Sequence, residues 1–245
     1  MSIETLDSAP SSGSLYLKAA LGMTPLVRGR GKDVPQRTLQ LPDIAVDSQK
    51  LSDFCRVTEY TMRDSLPPVY PNILAFPLHM KLLTAGDFPF PAIGLVHVEN
   101  TITQHRPVKT DEPLTLSVRA TPIEPHAKGR QFTVITEVSV GDELVQVAES
   151  TYLKRGGGDK DKAAKKPEGA PAPAELPQIA EWKLPGDLGR RYASVSGDRN
   201  PIHMHDLTAK AFGFSRAIAH GMWTKSRCLA ALDNRRPDAF KVHVA

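Results

Sequence analysis

The sequence predicts an α+β protein in which an antiparallel sheet wraps around a helix. Two observations predict this fold class. Residues 72–84 carry leucines at helical spacing, and residues 95–153 contain four stretches in which apolar and polar side chains alternate. An alternation with a period of two is typical of strands that bury one face. A helix that precedes such strands can supply the apolar surface that this face covers.

The predicted helix covers residues 72–84. Its leucines at positions 74, 78, 82 and 83 lie on one side, which we expect to contact the sheet. Pro77 is expected in the first turn of this helix, where a missing N–H group costs no hydrogen bond.

Four predicted strands follow, at residues 95–103, 113–121, 131–140 and 143–153. Polar, turn-forming segments separate them, which favours a meander of antiparallel neighbours. The alternation predicts the side chains of the buried face, which are Val96, Val98, Ile102, Leu114, Leu116, Val118, Ala120, Phe132, Val134, Val138, Val140, Val145 and Val147.

Residues 154–174 read KRGGGDKDKAAKKPEGAPAPA, a composition that cannot build a core and that predicts a flexible linker. The linker divides the chain into an N-terminal domain at 1–153 and a C-terminal domain at 175–245. Six basic and three acidic residues lie between Lys154 and Pro173, so this segment carries three of the four net positive charges. The rest of the chain is nearly neutral, and we do not expect it to bind nucleic acid.

Several classes of protein are excluded by what the sequence lacks. No stretch reaches the ~18 uncharged apolar residues of a membrane span, and the N-terminus lacks the apolar segment of a secretory signal. Cys55 and Cys228 are too few for a disulfide framework or a metal quartet, which fits a reducing compartment. No nucleotide-binding glycine motif occurs. We therefore expect a cytoplasmic protein that contacts no membrane and carries no cofactor.

The C-terminal part begins a second copy of the same element order. Residues 220–233 predict an apolar helix, and Lys241-Val242-His243-Val244 follows it. An offset of 146 residues aligns that segment with Leu95-Val96-His97-Val98, which predicts an internal repeat. Three more predicted strands follow the first copy, whereas the second copy reaches Ala245, so we expect the second unit to be incomplete.

The segment at 197–203, GDRNPIH, is the strongest candidate for chemistry. Asp198 and His203 lie five residues apart around Asn200-Pro201, which favours a turn that can bring the carboxylate and the imidazole together. Such a pair can share one water molecule and transfer its protons. The alternative is an aspartate that caps a helix beside a surface histidine.

A second candidate cluster, His220-Gly221-Met222, opens the predicted C-terminal helix. The Gly221 N–H at a helix start can polarise a carbonyl, as in an oxyanion hole. Alternatively, this glycine only lets the helix pass close to the sheet. His205 could pair with His203 on a metal ion, but no third ligand lies at a suitable spacing.

These segments carry a resemblance to a known family. Residues 192–203, YASVSGDRNPIH, together with Phe212-Gly213-Phe214 and the run AIAHGM at 217–222, resemble the signature of the MaoC-like dehydratases, the family of (R)-specific enoyl-CoA hydratases (hydratase-2). The resemblance is strong over residues 185–245 and weaker over 40–153. It implies the hot-dog fold, here as a double hot-dog with an incomplete second unit. The first unit has no catalytic block at 52–57, so its implied role is structural or acyl-binding.

The resemblance also implies an activity and a role for each candidate residue. Asp198 and His203 would hold the catalytic water that adds to a trans-2-enoyl thioester or leaves an (R)-3-hydroxyacyl thioester, and the Gly221 N–H would stabilise the enolate oxygen. Asn200, His220 and Met222 are expected to bind substrate, an acyl-CoA, without a metal. A homodimer is expected. The alternatives are a non-catalytic hot-dog protein that binds acyl thioesters or another subunit, and a hot-dog thioesterase.

Overall fold

An eight-stranded sheet runs through the described residues of the computed structural model, which are 2–21, 31–156 and 180–245. The strands are β1 (Ser2–Thr5), β2 (Arg37–Ile44), β3 (Leu95–Gln104), β4 (Leu114–Ala120), β5 (Glu124–His126), β6 (Gly129–Val140), β7 (Glu143–Arg155) and β8 (Phe240–Val244). Their order across the sheet is β1-β2-β4-β6-β7-β3-β8, with β5 paired to β6. The β1–β2 pair is parallel and the other pairs are antiparallel. This confirms the predicted α+β class.

The helices of the described residues are α1 (Ser12–Leu21), α2 (Ser48–Thr58), α3 (Tyr70–Leu83), α4 (Leu188–Ser196), α5 (Pro201–Met204), α6 (Asp206–Ala211) and α7 (Gly221–Ala231). The start of α2 shows how the local sequence sets such boundaries. The side chain of Asp47 accepts hydrogen bonds from the N–H groups of Gln49 and Lys50, which satisfies two donors of the first turn. None of these helices is long and apolar enough to cross a membrane.

The helix predicted at 72–84 is α3, and it lies at the centre of the core. Leu78 and Leu82 are fully buried, and α3 packs against β2, β4 and β6. The predicted place of Pro77 is wrong, because α3 begins earlier and Pro77 lies inside it. Pro71 occupies the first turn instead, where it fits without loss of a hydrogen bond.

The predicted inward face is confirmed most fully in β4. Leu114, Leu116 and Val118 are fully buried, and Ala120 is 2% exposed. In β6, Phe132, Val134 and Val138 are buried as predicted, whereas Val140 is half-buried. These side chains and those of α3 belong to one hydrophobic core, so the sheet covers the helix as the alternation predicts.

In β3 the predicted face is wrong on one side of a bulge. Val98 has no partner opposite it in β7, because His97 pairs with Tyr152 and Glu99 pairs with Thr151. The extra residue shifts the alternation by one position, so that Val96 and Val98 are half-buried while Asn100, Ile102 and Gln104 point inward.

A second bulge changes β7 in the same way. Val145 is buried as predicted but lies at the bulge, since Leu144 pairs with Ser139 and Gln146 pairs with Val138. Beyond it the inward positions are Gln146, Ala148 and Ser150, and Val147 is half-buried. The prediction for Val147 is therefore wrong.

The C-terminal part joins the same sheet and the same core. Its predicted helix is α7, and the segment that follows is β8, which pairs with β3 from Asn100–Val244 to Gln104–Phe240. Lys225 of α7 fixes this corner, because its ammonium donates to the backbone carbonyl and the side-chain oxygen of Asn100 and to the carbonyl of Val242. Burial lowers the pKa of Lys225 to about 7.

Strand β7 extends to Arg155, and residues 157–174 of the predicted linker lie outside the described residues.

Candidate active site

The end of α4 directs the chain into the candidate site. Gly197 adopts the left-handed conformation, with a φ of 75°, and its N–H donates to the carbonyl of Ala193. Glycine reaches this conformation without the steric cost of a side chain, so the helix ends there and the chain turns to Asp198. The Asp198 N–H donates to Oγ of Ser196, at 3.2 Å.

The Asn-Pro pair then starts α5, as its chemistry predicts. Oδ1 of Asn200 accepts from the N–H of Ile202 at 3.5 Å, and Pro201 occupies the first turn. The cap of α5 is therefore Asn200, and not Asp198. The Asp198 carboxylate accepts from the Asn200 N–H through Oδ1, at 3.0 Å, which leaves Oδ2 for other partners.

His203 is held in one tautomer. Its Nδ1 lies 2.8 Å from the carbonyl oxygen of Ile218. A carbonyl only accepts, so Nδ1 carries the proton of the neutral ring and Nε2 keeps a lone pair. His203 is thus prepared to take a proton at Nε2.

His220 contacts both Asp198 and His203. Its Nε2 donates to the backbone carbonyl of Asp198 at 3.0 Å, and its ring stacks on His203 with centroids 3.8 Å apart and planes at 25°. The side chain is buried, and this burial lowers the pKa of His220 to about 4 although the negative charge of Asp198 opposes the shift. His220 is therefore neutral at pH 7, and the 3.9 Å between its Nε2 and Oδ2 of Asp198 is not an ion pair.

Asp198, His203 and His220 each place a side-chain N or O atom within 4.8 Å of the others. One water molecule can bridge a carboxylate oxygen and a ring nitrogen at that spacing. The arrangement suits a metal ion less well. A ligand nitrogen binds a metal in the plane of its own ring, and the two stacked rings lie in different, nearly parallel planes. His205 has a different partner, because its Nδ1 accepts from the N–H of Leu207 at the start of α6. The geometry favours proton transfer.

Helix α7 presents its N-terminus to the same point. It begins at Gly221 after His220, whose side chain makes no capping hydrogen bond. The first N–H groups of a helix carry partial positive charge and attract an oxygen with developing negative charge. A Cβ at Gly221 would meet nothing within 4 Å. Close packing against the sheet therefore does not explain this glycine, and the space beside it is open.

These groups line one cavity of about 270 Å³. Its polar end holds Asp198, His203 and Gly221. Its apolar wall is one face of α3, formed by Ile73, Phe76, Met80 and Leu83. The three residues predicted to bind substrate, Asn200, His220 and Met222, also line the cavity. An apolar chain with a polar head would match this lining.

Three residues of the site carry no signal that sequence reasoning used. Gly189 of α4 lets α5 approach, since a Cβ there would overlap the carbonyl oxygen of His203. His97 lines the cavity from β3 and stacks on Tyr152, with centroids 4.9 Å apart, and burial lowers the pKa of His97 to about 4. Tyr16 reaches the site from α1, where its hydroxyl donates to Oδ1 of Asp198 at 3.2 Å. Each acts through a tertiary contact that local spacing does not encode.

Known proteins resemble this chain in sequence. A family model described as MaoC like domain matches residues 173–244. The 3-hydroxyacyl-thioester dehydratase X of Mycobacterium tuberculosis is 37% identical over 240 residues, which make up 96% of this chain and 83% of that protein. A 3-hydroxybutyryl-CoA dehydratase of Methylorubrum extorquens is 37% identical over 54 residues, which are 22% of this chain and 34% of that protein.

Solved structures agree with the sequence matches. The crystal structure of HtdX of Mycobacterium tuberculosis superposes with a TM-score of 0.72 at 34% identity, and the match covers 84% of this chain and 80% of that one. A MaoC-like dehydratase from Phytophthora capsici superposes with a TM-score of 0.66 at 20% identity, over 86% of this chain and 81% of that one. At that lower identity the likeness concerns the fold alone.

Proposed function

This chain belongs to the MaoC-like dehydratase family, and from that premise we propose that it is a hydro-lyase that adds water to a trans-2-enoyl thioester or removes water from a 3-hydroxyacyl thioester. The relative that matches along almost the whole chain is named a 3-hydroxyacyl-thioester dehydratase, and it is 37% identical. The expected fold and family are thereby confirmed.

One observation carries the proposal. A carboxylate, an imidazole with a free lone pair and a helix N-terminus line one cavity together with an apolar face of α3. Hydration of an enoyl thioester needs a base for the water proton, an acid for C2 and a donor for the thioester oxygen.

The residues would act as follows in the direction of hydration. Asp198 and His203 hold the water between them. As the water oxygen bonds to C3, one of its protons passes to this pair, and the pair delivers a proton to C2, so that OH and H are added across the double bond. Negative charge collects on the thioester oxygen as the C2–C3 π electrons shift, and the Gly221 N–H at the start of α7 stabilises it. The same groups run the reverse reaction, in which the hydroxyl leaves C3 as water.

Substrate binding follows from the rest of the lining. We propose that the acyl chain lies along Ile73, Phe76 and Met80 of α3, so that residues 1–153 bind the chain while 175–245 supply the catalytic groups. Asn200 orders the loop and Met222 contacts the chain beside the thioester. A coenzyme A thioester is the proposed substrate, by analogy with the 3-hydroxybutyryl-CoA dehydratase that is 37% identical to this chain over 54 residues.

The proposal extends to assembly and location. A cytoplasmic homodimer fits a chain whose described helices include none able to span a membrane and whose sheet ends in the edge strands β1 and β8. Sedimentation equilibrium at micromolar concentration tests the dimer, and a mass of one chain, 26.8 kDa, would refute it.

The activity is tested with crotonyl-CoA, by the loss of enoyl absorbance and the appearance of 3-hydroxybutyryl-CoA. Release of free thiol without hydration would instead identify a thioesterase. Binding of crotonyl-CoA without either product would identify a non-catalytic acyl-thioester protein. Both of these outcomes would refute the proposed hydratase.

A further inference from the structure

The hydroxyl of Tyr16 joins two parts of the active loop that lie 182 and 183 residues further along the chain. It donates to Oδ1 of Asp198 at 3.2 Å and accepts from the backbone N–H of Arg199 at 2.6 Å. The hydroxyl therefore closes a small ring with the backbone and the carboxylate of adjacent residues.

Packing against α3 holds helix α1 in the position from which Tyr16 contacts Asp198. Leu15 and Ala19, four residues apart on one face, pack with Met80 of α3, and Phe76 and Ile93 join that cluster. Phe76, Met80 and Ile93 also line the cavity, as Tyr16 does. The helix thus covers one wall of the acyl cavity and carries Tyr16 at its edge, next to the polar end.

The tyrosine is in the right protonation state to donate. Burial, and then the charge of Asp198, raise the pKa of Tyr16 above its ordinary value. The hydroxyl thus keeps its proton at pH 7. Because a protonated hydroxyl has one hydrogen, and that hydrogen points at Oδ1, its oxygen is free to accept from Arg199.

The carboxylate of Asp198 is therefore clamped on one side only. Oδ1 receives the Tyr16 hydroxyl and the Asn200 N–H, at 3.2 and 3.0 Å. Oδ2 lies 3.9 Å from Nε2 of His220. Two donors on Oδ1 fix the rotation of the carboxylate about its Cβ–Cγ bond. Oδ2 therefore keeps the orientation in which it can bind the reacting water.

We propose that Tyr16 is a positioning residue of the hydration reaction, which holds the Asp198 carboxylate in its working rotamer and couples α1 to the active loop. This inference rests on the proposed hydratase function. The tyrosine touches the carboxylate and takes no proton from the substrate, so its loss should slow the chemical step and leave thioester binding almost unchanged.

The test compares Tyr16→Phe with the unmodified protein in crotonyl-CoA hydration. We expect kcat to fall about tenfold to a hundredfold, the range for one hydrogen bond to a charged group, with KM within about twofold. Phenylalanine keeps the aromatic ring, which packs against the cluster of Leu15, Ala19 and Met80, and removes only the hydroxyl. Leu17→Ala is the matched control, because Leu17 lies on the same helix with 64% of its surface exposed. It should leave both constants unchanged.

A double-substitution cycle separates positioning from general damage to the fold. In an Asp198→Asn background, Tyr16→Phe should cost no further activity beyond about twofold, because the charged group that it positions is gone. Equal losses in both backgrounds would overturn the inference, as would an unchanged kcat or a raised KM alone. An inactive unmodified protein would instead refute the hydratase function, so the two failures are distinguishable.

Discussion

At the scale of single residues, the site depends on which groups find partners and which stay free. His203 donates at Nδ1 and keeps the lone pair of Nε2, while Asp198 is bound at Oδ1 and open at Oδ2. Both side chains line one cavity. Proton transfer needs this combination of one fixed and one available atom in each side chain.

Gly221 gives the first prediction at this scale. Gly221→Ala should fold, because a Cβ meets nothing within 4 Å and alanine is a better helix former than glycine. The methyl group would nevertheless occupy open space beside the helix N-terminus, where the proposed reaction places the thioester oxygen. We expect hydration of crotonyl-CoA to fall roughly tenfold to a hundredfold in kcat/KM with an unchanged melting temperature.

Gly186→Ala is the control for this change, because a Cβ at Gly186 also meets nothing within 4 Å, away from the cavity lining. It should retain full activity. Full activity in Gly221→Ala would show that the space beside this glycine is not used by substrate.

The residues of the site differ in how far the sequence predicts them. Asp198, Asn200 and His203 fall within one turn, and the chemistry of Asn-Pro makes their convergence foreseeable. The place of Tyr16 is not foreseeable, since its partner is 182 residues away and α1 has no motif that distinguishes it. Residues that act through the fold become visible only when the fold is known.

At the scale of elements, helix α4 controls where α5 sits. Gly189 lies where the two meet, and a side chain there would overlap the backbone of His203. We predict that Gly189→Ala moves α5, and with it the His203 ring, out of register with Asp198. Activity should fall by at least about tenfold, because small displacements of catalytic groups have large kinetic effects, and the melting temperature should drop.

Ser194→Ala on the exposed side of the same helix is the matched control, and it should change neither activity nor melting temperature appreciably. Circular dichroism melting and the crotonyl-CoA assay measure both effects. A Gly189→Ala protein with native melting and native activity would contradict the close approach of α4 to α5.

The elements also show why strand positions are predicted better than strand faces. The apolar period locates β3 and β7 to within a few residues, because strand hydrophobicity is a property of the segment. The face reverses at Val98 and Val145, where one extra residue enters the ladder. A bulge is set by pairing with the neighbouring strand, and neither valine differs from an ordinary strand residue. Pro77 shows the same limit, since its place depends on where α3 begins.

At the scale of the whole molecule, three histidines with lowered pKa values make folding sensitive to pH, namely the buried His79 and His220 and the half-buried His97. Burial lowers the pKa of His79 to about 3, and it lowers the pKa values of His97 and His220 to about 4. In the unfolded chain each histidine titrates near 6.5. Between pH 6.5 and 4 the unfolded state therefore binds more protons than the folded state, and the free energy of unfolding falls as the pH is lowered through this window.

We predict that the free energy of unfolding in urea decreases from pH 7.5 to pH 5, by up to about 1.4 kcal/mol per pH unit for each histidine. His79→Gln should reduce this slope, since glutamine does not titrate. His105→Gln, at an exposed position, should not alter it. A free energy of unfolding that is constant between pH 7.5 and 5 would contradict the lowered pKa values of the three histidines.

The predicted internal repeat concerns two strands that are neighbours in the structure. The offset of 146 residues aligns the start of β3 with β8, and in the structure these two strands are antiparallel neighbours in one sheet. The C-terminal part supplies the proposed catalytic groups, and α3 supplies apolar lining of the same cavity. The proposed activity therefore requires both parts of the chain in contact.

The central claim is that Asp198 acts on the water that adds to an enoyl thioester. The most direct test is the rate of crotonyl-CoA hydration by the unmodified protein and by Asp198→Asn, with Asp111→Asn as an exposed control. We predict hydration by the unmodified protein and by the control, and a loss of about 10²–10⁴-fold in kcat for Asp198→Asn, the range for general acid–base catalysis. Equal rates in all three proteins would contradict the claim.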